Sequence, residues 1–233
     1  MKLKKIIKCL QNPKFYKIYF YGTAPLFEIS PLLEEINNSK TLIDVGSNKG
    51  QFSLLARKFF PDIEIHSFEP QIEELNLQKN ILGNKNINYY NFALGNEDKE
   101  LNLYITKRKD SSSLLKPLET INNKYLTKEI RKVFVKRLDK ISALKNIKRP
   151  SILKLDVQGY ELEVLKGSTE IFEVIDYIIT EVSFIKIYEN QVMENKLLDF
   201  IHSKEFKLVK KCNSSKIDKQ IFQEDVLFSK KIK

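Results

Sequence analysis

Cysteine and histidine are both scarce in this chain, with two of each among 233 residues. Cys9 and Cys212 lie far apart and fall in no spaced motif, so a framework of several disulfides is excluded. Two free thiols point to a reducing compartment, with a single bridge as the alternative. His66 and His202 are the only imidazoles, too few ligands for a Cys/His zinc site. Long apolar runs are missing as well: no segment reaches the roughly 18 uninterrupted apolar residues of a membrane span. The basic start (Lys2, Lys4, Lys5, Lys8) resembles that of a signal peptide, but lysines and Pro13 interrupt the apolar stretch that should follow. A cytoplasmic protein is expected. Leu3, Ile6, Ile7 and Leu10 share one helical face between lysines; packing on the chain's own domain is preferred over a peripheral membrane contact. Nothing in the sequence fixes an oligomeric state.

Arginine is sparse too. Of the 40 basic residues 35 are lysine, against 30 acidic residues, for a net charge of +10. The surplus is uneven: Lys107 to Arg137 holds ten basic residues and three acidic ones, which is most of the net charge. A hydrophobic content of 42% in a chain of this length supports one domain with a full core, or one domain with a small addition.

What is present centres on Thr41-Leu-Ile-Asp-Val-Gly-Ser-Asn-Lys-Gly50. Thr41 to Val45 reads as a short buried strand. Gly46 and Gly50 punctuate a tight turn, and Phe52, Leu55, Ala56, Phe59 and Phe60 then fall on one helical face. A glycine turn between strand and helix lets bare backbone approach a ligand and aims a helix N-terminus at it. That places a nucleotide-type cofactor at the carboxyl end of the first strand of a doubly wound sheet.

Upstream, residues 1–38 read as peripheral: a short helix, an aromatic connection (Phe15, Tyr16, Tyr19, Phe20, Tyr21), then a helix from about Pro25 to Ile36. Downstream, Ile63 to Phe68 forms a second strand ending at Glu69-Pro70, 25 positions beyond Asp44. A carboxylate there can accept hydrogen bonds from both ribose hydroxyls; the alternative is a solvated strand-end glutamate. Gln71 to Leu82 is a helix stopped at Gly83-Asn84, and Asn88 to Leu94 a third strand. Asn91, Phe92 and Ala93 near its end lie where an adenine would sit. Glu100 to Thr106 reads as an extra strand beside the core. Lys107 to Lys132 shows little periodicity, as expected of a substrate-side binding loop, and its charge suits an acidic group on the substrate; a solvated lysine-rich loop is the other reading. Val133 to Leu138 returns to strand character, and Asp139 opens a short helix.

Ser151 to Val157 repeats the logic of the first site: apolar strand, terminal Asp156, then Gln158-Gly159-Tyr160-Glu161 opening a helix that runs on to Phe172 with a soft break at Gly167. The strands carrying Asp44 and Asp156 should flank the crevice where strand order reverses, so that the two carboxylates face one another there. Tyr177 to Val182 is a fifth core strand with Glu181 near its end. Val192 to Phe206 is a helix, and two short strands, Lys207 to Lys211 and Val226 to Ser229, close the sheet. Strand and helix alternate from residue 41 onward, which argues an α/β fold, a mainly parallel three-layer αβα sandwich.

Several uncommon stretches recur in order: Asp44-Val-Gly-Ser-Asn-Lys-Gly-Gln-Phe52, Ser67-Phe-Glu-Pro70, Ser112-Ser-Leu114, Arg137-Leu-Asp139, Lys154-Leu-Asp-Val-Gln-Gly-Tyr-Glu161, Leu165-Lys-Gly167, Glu181-Val-Ser-Phe184, Tyr188-Glu-Asn-Gln191 and Gln223-Glu-Asp-Val-Leu-Phe228. From about residue 41 to 229 the chain resembles the FkbM family of S-adenosylmethionine-dependent methyltransferases. The resemblance implies a Rossmann-like class I methyltransferase with a seven-stranded sheet, acting mostly on hydroxyl oxygens of sugars and natural products. It divides the chain into a helical extension (1–40) and a methyltransferase domain (41–233). It implies that Asp44, Gly46 and Gly50 shape the methionine-side pocket, that Glu69 holds the ribose and that Asp156 lies near the methyl group. Ser47, Asn48, Pro70, Asn91 and Ala93 complete the expected cofactor set by their positions beside these turns and strand ends. Many members carry glutamate where this chain has Gln158, which removes one candidate base or metal ligand.

A hydroxyl acceptor must lose its proton as it attacks, which requires a base within about 3 Å. Asp156 is the first candidate and Glu181 the second, with Tyr160 and Tyr188 able to orient the acceptor. His66 sits mid-strand and reads as a core residue, and His202 as a surface one. Asp156, Gln158 and Glu161 or Glu181 could gather a hard cation, but nothing in the spacing demands it and no metal is assigned. The expected partner is a small-molecule or glycan acceptor. A nucleic-acid methyltransferase is the main rival, favoured by a pI of about 9.3. Against it stand the missing Asp/Asn-Pro-Pro-aromatic tetrapeptide, the lack of a cysteine near the cleft, and the few arginines for base readout. A non-catalytic binding protein on the same fold is the second rival.

Overall fold

The computed structural model describes residues 21, 23–118, 125–217 and 220–230. The expected first helix and most of the aromatic connection lie outside them, as does Cys9. Cys212 is a free thiol.

A 3-10 turn (Phe27–Ile29) and the single helical turn α1 (Ser30–Leu33) lead into the sheet. The expected Pro25–Ile36 helix is thus shorter, as Pro31, lacking an N–H, sits in the first turn. The remaining elements are β1 (Thr41–Val45), α2 (Gln51–Phe59), β2 (Glu64–Phe68), α3 (Ile72–Leu82), β3 (Ile87–Tyr90), β4 (Ala93–Leu94), β5 (Lys99–Thr106), β6 (Thr127–Lys136), β7 (Ser151–Leu155), α4 (Glu161–Lys166), β8 (Tyr177–Ser183), α5 (Glu194–Ser203), β9 (Phe206–Ile217) and β10 (Gln220–Lys230). Seven strands form one sheet in the order β3-β2-β1-β7-β8-β10-β9. Strands β1, β2, β3, β7 and β8 pair in parallel, and β10 runs antiparallel to both of its neighbours. Strand order reverses between β1 and β7, the place where such sheets bind ligands.

Each central strand is buried on both faces, and its alternation divides the interior in two. Leu42, Ile152, Ile179 and Leu227 face one core, completed by Leu32, Leu33, Phe52 and Leu55. Ile43, Leu153, Ile178 and Val226 face the other, completed by Val164, Leu165, Leu197 and Ile201. This is the three-layer sandwich. Each fully buried apolar side chain contributes about 1.5–3 kcal/mol.

Four further expectations change. The strand Asn88–Leu94 is two strands: β3 stays in the main sheet, while Asn91 bonds back to the Glu69 and Pro70 carbonyls (3.0 and 3.1 Å) and β4 joins a separate sheet of order β4-β6-β5. The loop expected up to Lys132 gives way to β6 at Thr127, because β5 pairs with it along its whole length. The helix of residues 161–172 ends at Lys166 and resumes as a 3-10 turn (Thr169–Val174); Gly167 is pressed so close to Gly95 that a Cβ there would lie 1.9 Å from the Gly95 carbonyl oxygen. The closing strands are long, forming a hairpin of 12 and 11 residues. Polar residues 213–215 hid it from a hydrophobicity reading.

No helix among the described residues is long and apolar enough to cross a membrane.

Candidate active site

The turn after β1 is shaped by what it must pass. Gly46 has φ 71, and a Cβ there would lie 2.0 Å from the backbone oxygen of Asp156, so only glycine fits between β1 and the end of β7. The N–H groups of Gly46 and Ser47 donate to the Phe68 carbonyl (3.0 and 3.1 Å), which ties the turn to the end of β2. Asn48, at φ 48, takes a left-handed conformation that asparagine tolerates, and its N–H donates to Glu69 Oε2 at 2.9 Å. Glu69 Oε1 accepts from the Gln71 N–H at 2.8 Å. The Glu69 carboxyl is 3% exposed, and burial pushes its pKa up to about 7. Behind the turn, Ser47, Ser67 and Gln78 form a buried hydrogen-bonded trio.

A cavity of about 290 Å³ opens at this end of the sheet, close to the lower range of small-molecule sites. Gly46, Asn48, Glu69, Pro70 and Ala93 line it on the cofactor side, with Phe68, Phe92 and Leu103 adding apolar surface. Phe92 packs against Phe68 with ring centroids 5.7 Å apart.

Two aspartates expected to face each other across the crevice are instead linked by a lysine. Asp44 is fully buried beneath the turn and does not line the cavity; its Oδ2 accepts from Ser53 Oγ at 2.7 Å. Lys154, mid-strand in β7 and 4% exposed, lies 3.2 Å from Asp44 Oδ1 and 3.7 Å from Asp156 Oδ2, and donates to the Gly46 carbonyl at 3.2 Å. Burial opposes its charge, but attraction to Asp44 and Asp156 leaves its pKa above the ordinary value.

The opposite wall is acidic. Asp156 caps β7 and is the more open carboxylate, its side chain 37% exposed. Gln158, held at the strained φ of 56, donates from Nε2 to Asp156 Oδ1 at 2.7 Å. Its Oε1 lies 2.9 Å from Tyr188 Oη, and its carbonyl accepts from Ser113 Oγ at 2.8 Å. Glu181 and Asp225 are direct cross-strand partners in β8 and β10. Gln223 Nε2 donates to Glu181, and Asn213 Nδ2 to Asp225 at 2.6 Å. Burial, then the charges of Asp156 and Asp225, raise the Glu181 pKa well above the carboxylate range. Burial likewise raises Asp225 to about 7. Glu161, also raised by burial to about 7, is occupied in capping, its Oε1 accepting from the Val157 and Gly159 N–H groups.

The expected site residues do not all converge. Asp156 and Glu181 line the crevice together. Tyr160 does not: it heads α4 on the far side of the turn, where its ring meets Gly95. Gly50, Ser47 and Asn91 build the walls from behind rather than lining them. Tyr188 is fully buried, its Oη also 2.8 Å from the Ser111 carbonyl, so it pins the serine segment to Gln158 instead of meeting an acceptor. His66 stacks on Tyr90 within the interior and His202 is exposed. The basic segment reaches the rim through Arg108 and Lys109, but Arg108 pairs with Asp110 and Lys109 with Glu74. Lys154, Gln223 and Asp225 carried no assigned role in the sequence. A lone lysine inside a doubly covered apolar strand was the signal for the first. The cross-strand register that brings Asp225 to Glu181 has no sequence signature.

This strand order, with a glycine turn after β1 and a buried acid after β2, defines a class I methyltransferase. Two solved structures are similar in fold. One is a putative S-adenosylmethionine-dependent methyltransferase from Listeria monocytogenes (TM-score 0.51, 8% identity, covering 88% of this chain and 98% of that one). The other is M. capricolum TrmK in complex with S-adenosyl-homocysteine (TM-score 0.50, 11% identity, 90% and 70%). The family model of the methyltransferase FkbM domain matches residues 44–208, and the chain belongs to that family of S-adenosylmethionine-dependent enzymes. It is also similar to Methyltransferase 1 of Beauveria bassiana, at 31% identity over 157 residues. That match takes in 60% of this chain and 63% of the relative, so the chain spans less than two thirds of the relative's length.

The residues fit S-adenosylmethionine. A buried carboxylate suited to a ribose diol and a glycine turn with no side chain stand on one side of a single cavity, with carboxylates able to face a sulfonium on the other.

Proposed function

We propose that this protein methylates a hydroxyl oxygen on a sugar, glycan or related small molecule. One observation carries the reading: beyond the glycine turn, the crevice is walled by Asp156, Glu181 and Asp225 interleaved with the amides of Gln158, Gln223 and Asn213. Carboxylates and amides at close range suit a polyhydroxylated acceptor, whose hydroxyls both donate and accept. They repel an anionic one. Since Arg108 and Lys109 are already paired with carboxylates, an acidic acceptor loses its main support, and so does a phosphate-rich polynucleotide.

The cofactor, when bound, supplies an activated methyl carbon, so the protein's task is alignment and proton removal. In this reading Glu69 accepts from the ribose hydroxyls and Gly46 admits the methionine portion. Ala93, Phe92 and Leu103 flank the adenine. Asp156 takes the acceptor proton: it is the most open of the three carboxylates, and the Gln158 amide orients it. Glu181, held by Gln223, serves as hydrogen-bonding partner to the acceptor and second candidate base. The proposed division into an extension (1–40) and a catalytic domain (41–233) accompanies this reading, as does a cytoplasmic location.

The test is methyl-donor turnover against neutral sugars, nucleotide sugars, sugar phosphates, glycans and RNA, with products identified by mass spectrometry. Label in a hydroxyl of a sugar or glycan supports the reading. Label only in RNA, or in a carboxylate or amine, removes it.

A further inference from the structure

β6 is buried on one side only. Val133 and Val135 turn inward with Leu103 and Ile105 of β5, forming the small core beside the crevice. Ile130, Lys132, Phe134 and Lys136 alternate with them on the other face, and Lys128 stands at a bulge between Thr127 and Glu129; all five are exposed. Ile130 is 57% and Phe134 63% exposed, the two most exposed large apolar side chains among the described residues. The register sets them opposite Tyr104 and Glu100 of β5, so they project from a paired strand and not from a loop tip. They stand four residues apart, about 13 Å along a strand.

The inward-facing cation of this strand is neutralised: Arg131 pairs with Glu73 and Glu129. The outward ones differ. Lys128 and Lys132 have no acidic partner among the described residues, and Lys136 lies over the Phe92 ring at 4.8 Å. Among the described residues of this segment, Lys132 and Lys136 are therefore displayed on the outer face of β6 with Lys128 exposed beside them, whereas Arg108 and Lys109 at the crevice rim are paired.

We propose that this face docks on an anionic lipid surface, with Phe134 and Ile130 entering the headgroup boundary and Lys128 and Lys132 meeting lipid phosphates. Alternating lysine and apolar side chains match that boundary in both charge and polarity. Single-stranded nucleic acid fits less well, since it wants successive aromatic platforms and Ile130 offers no stacking face. A second copy of this chain would set lysines against lysines. The opposite face of the same three-stranded sheet lines the crevice through Ala93 and Leu103, so docking holds the site close to the lipid surface. The proposal does not depend on the identity of the acceptor.

Co-sedimentation of the full chain with vesicles tests it. Binding is expected to phosphatidylcholine vesicles containing phosphatidylglycerol, to be absent with phosphatidylcholine alone, and to weaken as salt rises. Ile130→Ser with Phe134→Ser should reduce it about tenfold, and Lys128→Gln with Lys132→Gln roughly 25-fold. Leu208→Ser with Val209→Ser, exposed apolar residues on β9, should leave it unchanged. Thermal melts check that each variant folds. No vesicle binding by the wild type would overturn the proposal. So would equal loss in the β9 variant, or binding of single-stranded RNA, and not of vesicles, by the same lysines.

Discussion

The Lys154 ammonium lies 3.2 Å from the Asp44 carboxylate, and both groups are buried at the point where β1 and β7 part. A charge buried in this way is expensive alone and tolerable as a pair. Lys154→Met should therefore destabilise the protein by about 3 kcal/mol or more, measured by urea unfolding. The double variant Lys154→Met, Asp44→Asn should recover part of that loss, because no fully buried unpaired charge remains and Asp156 is partly open to solvent.

Asp156→Asn should lower kcat by about 100-fold or more while leaving cofactor affinity nearly unchanged, since the assigned task is proton removal. Single-turnover kinetics with a fixed acceptor separates the two quantities. A parallel loss of cofactor affinity would reassign Asp156 to binding.

Gln158 donates to Asp156 at 2.7 Å, which a glutamate could not do once ionised. Gln158→Glu should remove that donated hydrogen bond and place a second negative charge beside the base, lowering kcat by about tenfold or more with cofactor affinity nearly unchanged. An unchanged kcat would separate Gln158 from the reacting centre.

Glu69, Glu161 and Asp225 are each raised by burial to about 7. They bind protons more tightly folded than unfolded, so protonation stabilises the fold. That contribution is complete below their ordinary values, 4.5 for Glu and 3.8 for Asp, and is lost as pH rises through about 7. The cofactor-free protein should melt higher at about pH 5.5 than at about pH 8. Ribose hydroxyls donating to Glu69 favour its ionised form, so added S-adenosylmethionine should stabilise more at the higher pH. Scanning calorimetry at both pH values, with and without cofactor, measures the difference.

The parts of this site written locally are legible in the sequence. Strand, glycine turn and helix around Gly46 announce themselves through periodicity and the need for bare backbone, and Glu69 follows one strand later. What stayed hidden depends on partners distant in sequence. Asp225 meets Glu181 only through the register of a hairpin whose strands carry polar residues. Lys154 is separated from Asp44 by 110 positions but by a single strand spacing. Tyr160 is expected to orient the acceptor, yet the start of α4 swings it toward Gly95. The lysine-rich stretch suits an acid-binding loop or a solvated one equally by composition, which cannot tell the inner face of a strand from its outer face.

Glu69 tests the account most directly, because the placement of the cofactor hangs on it. S-adenosylhomocysteine should bind the wild-type chain with measurable heat, and Glu69→Ala should weaken that binding by about 30-fold or more at pH 8, through loss of two charge-assisted hydrogen bonds. Equal affinities for the two proteins would contradict a ribose held at the end of β2, and with it the arrangement of the whole crevice.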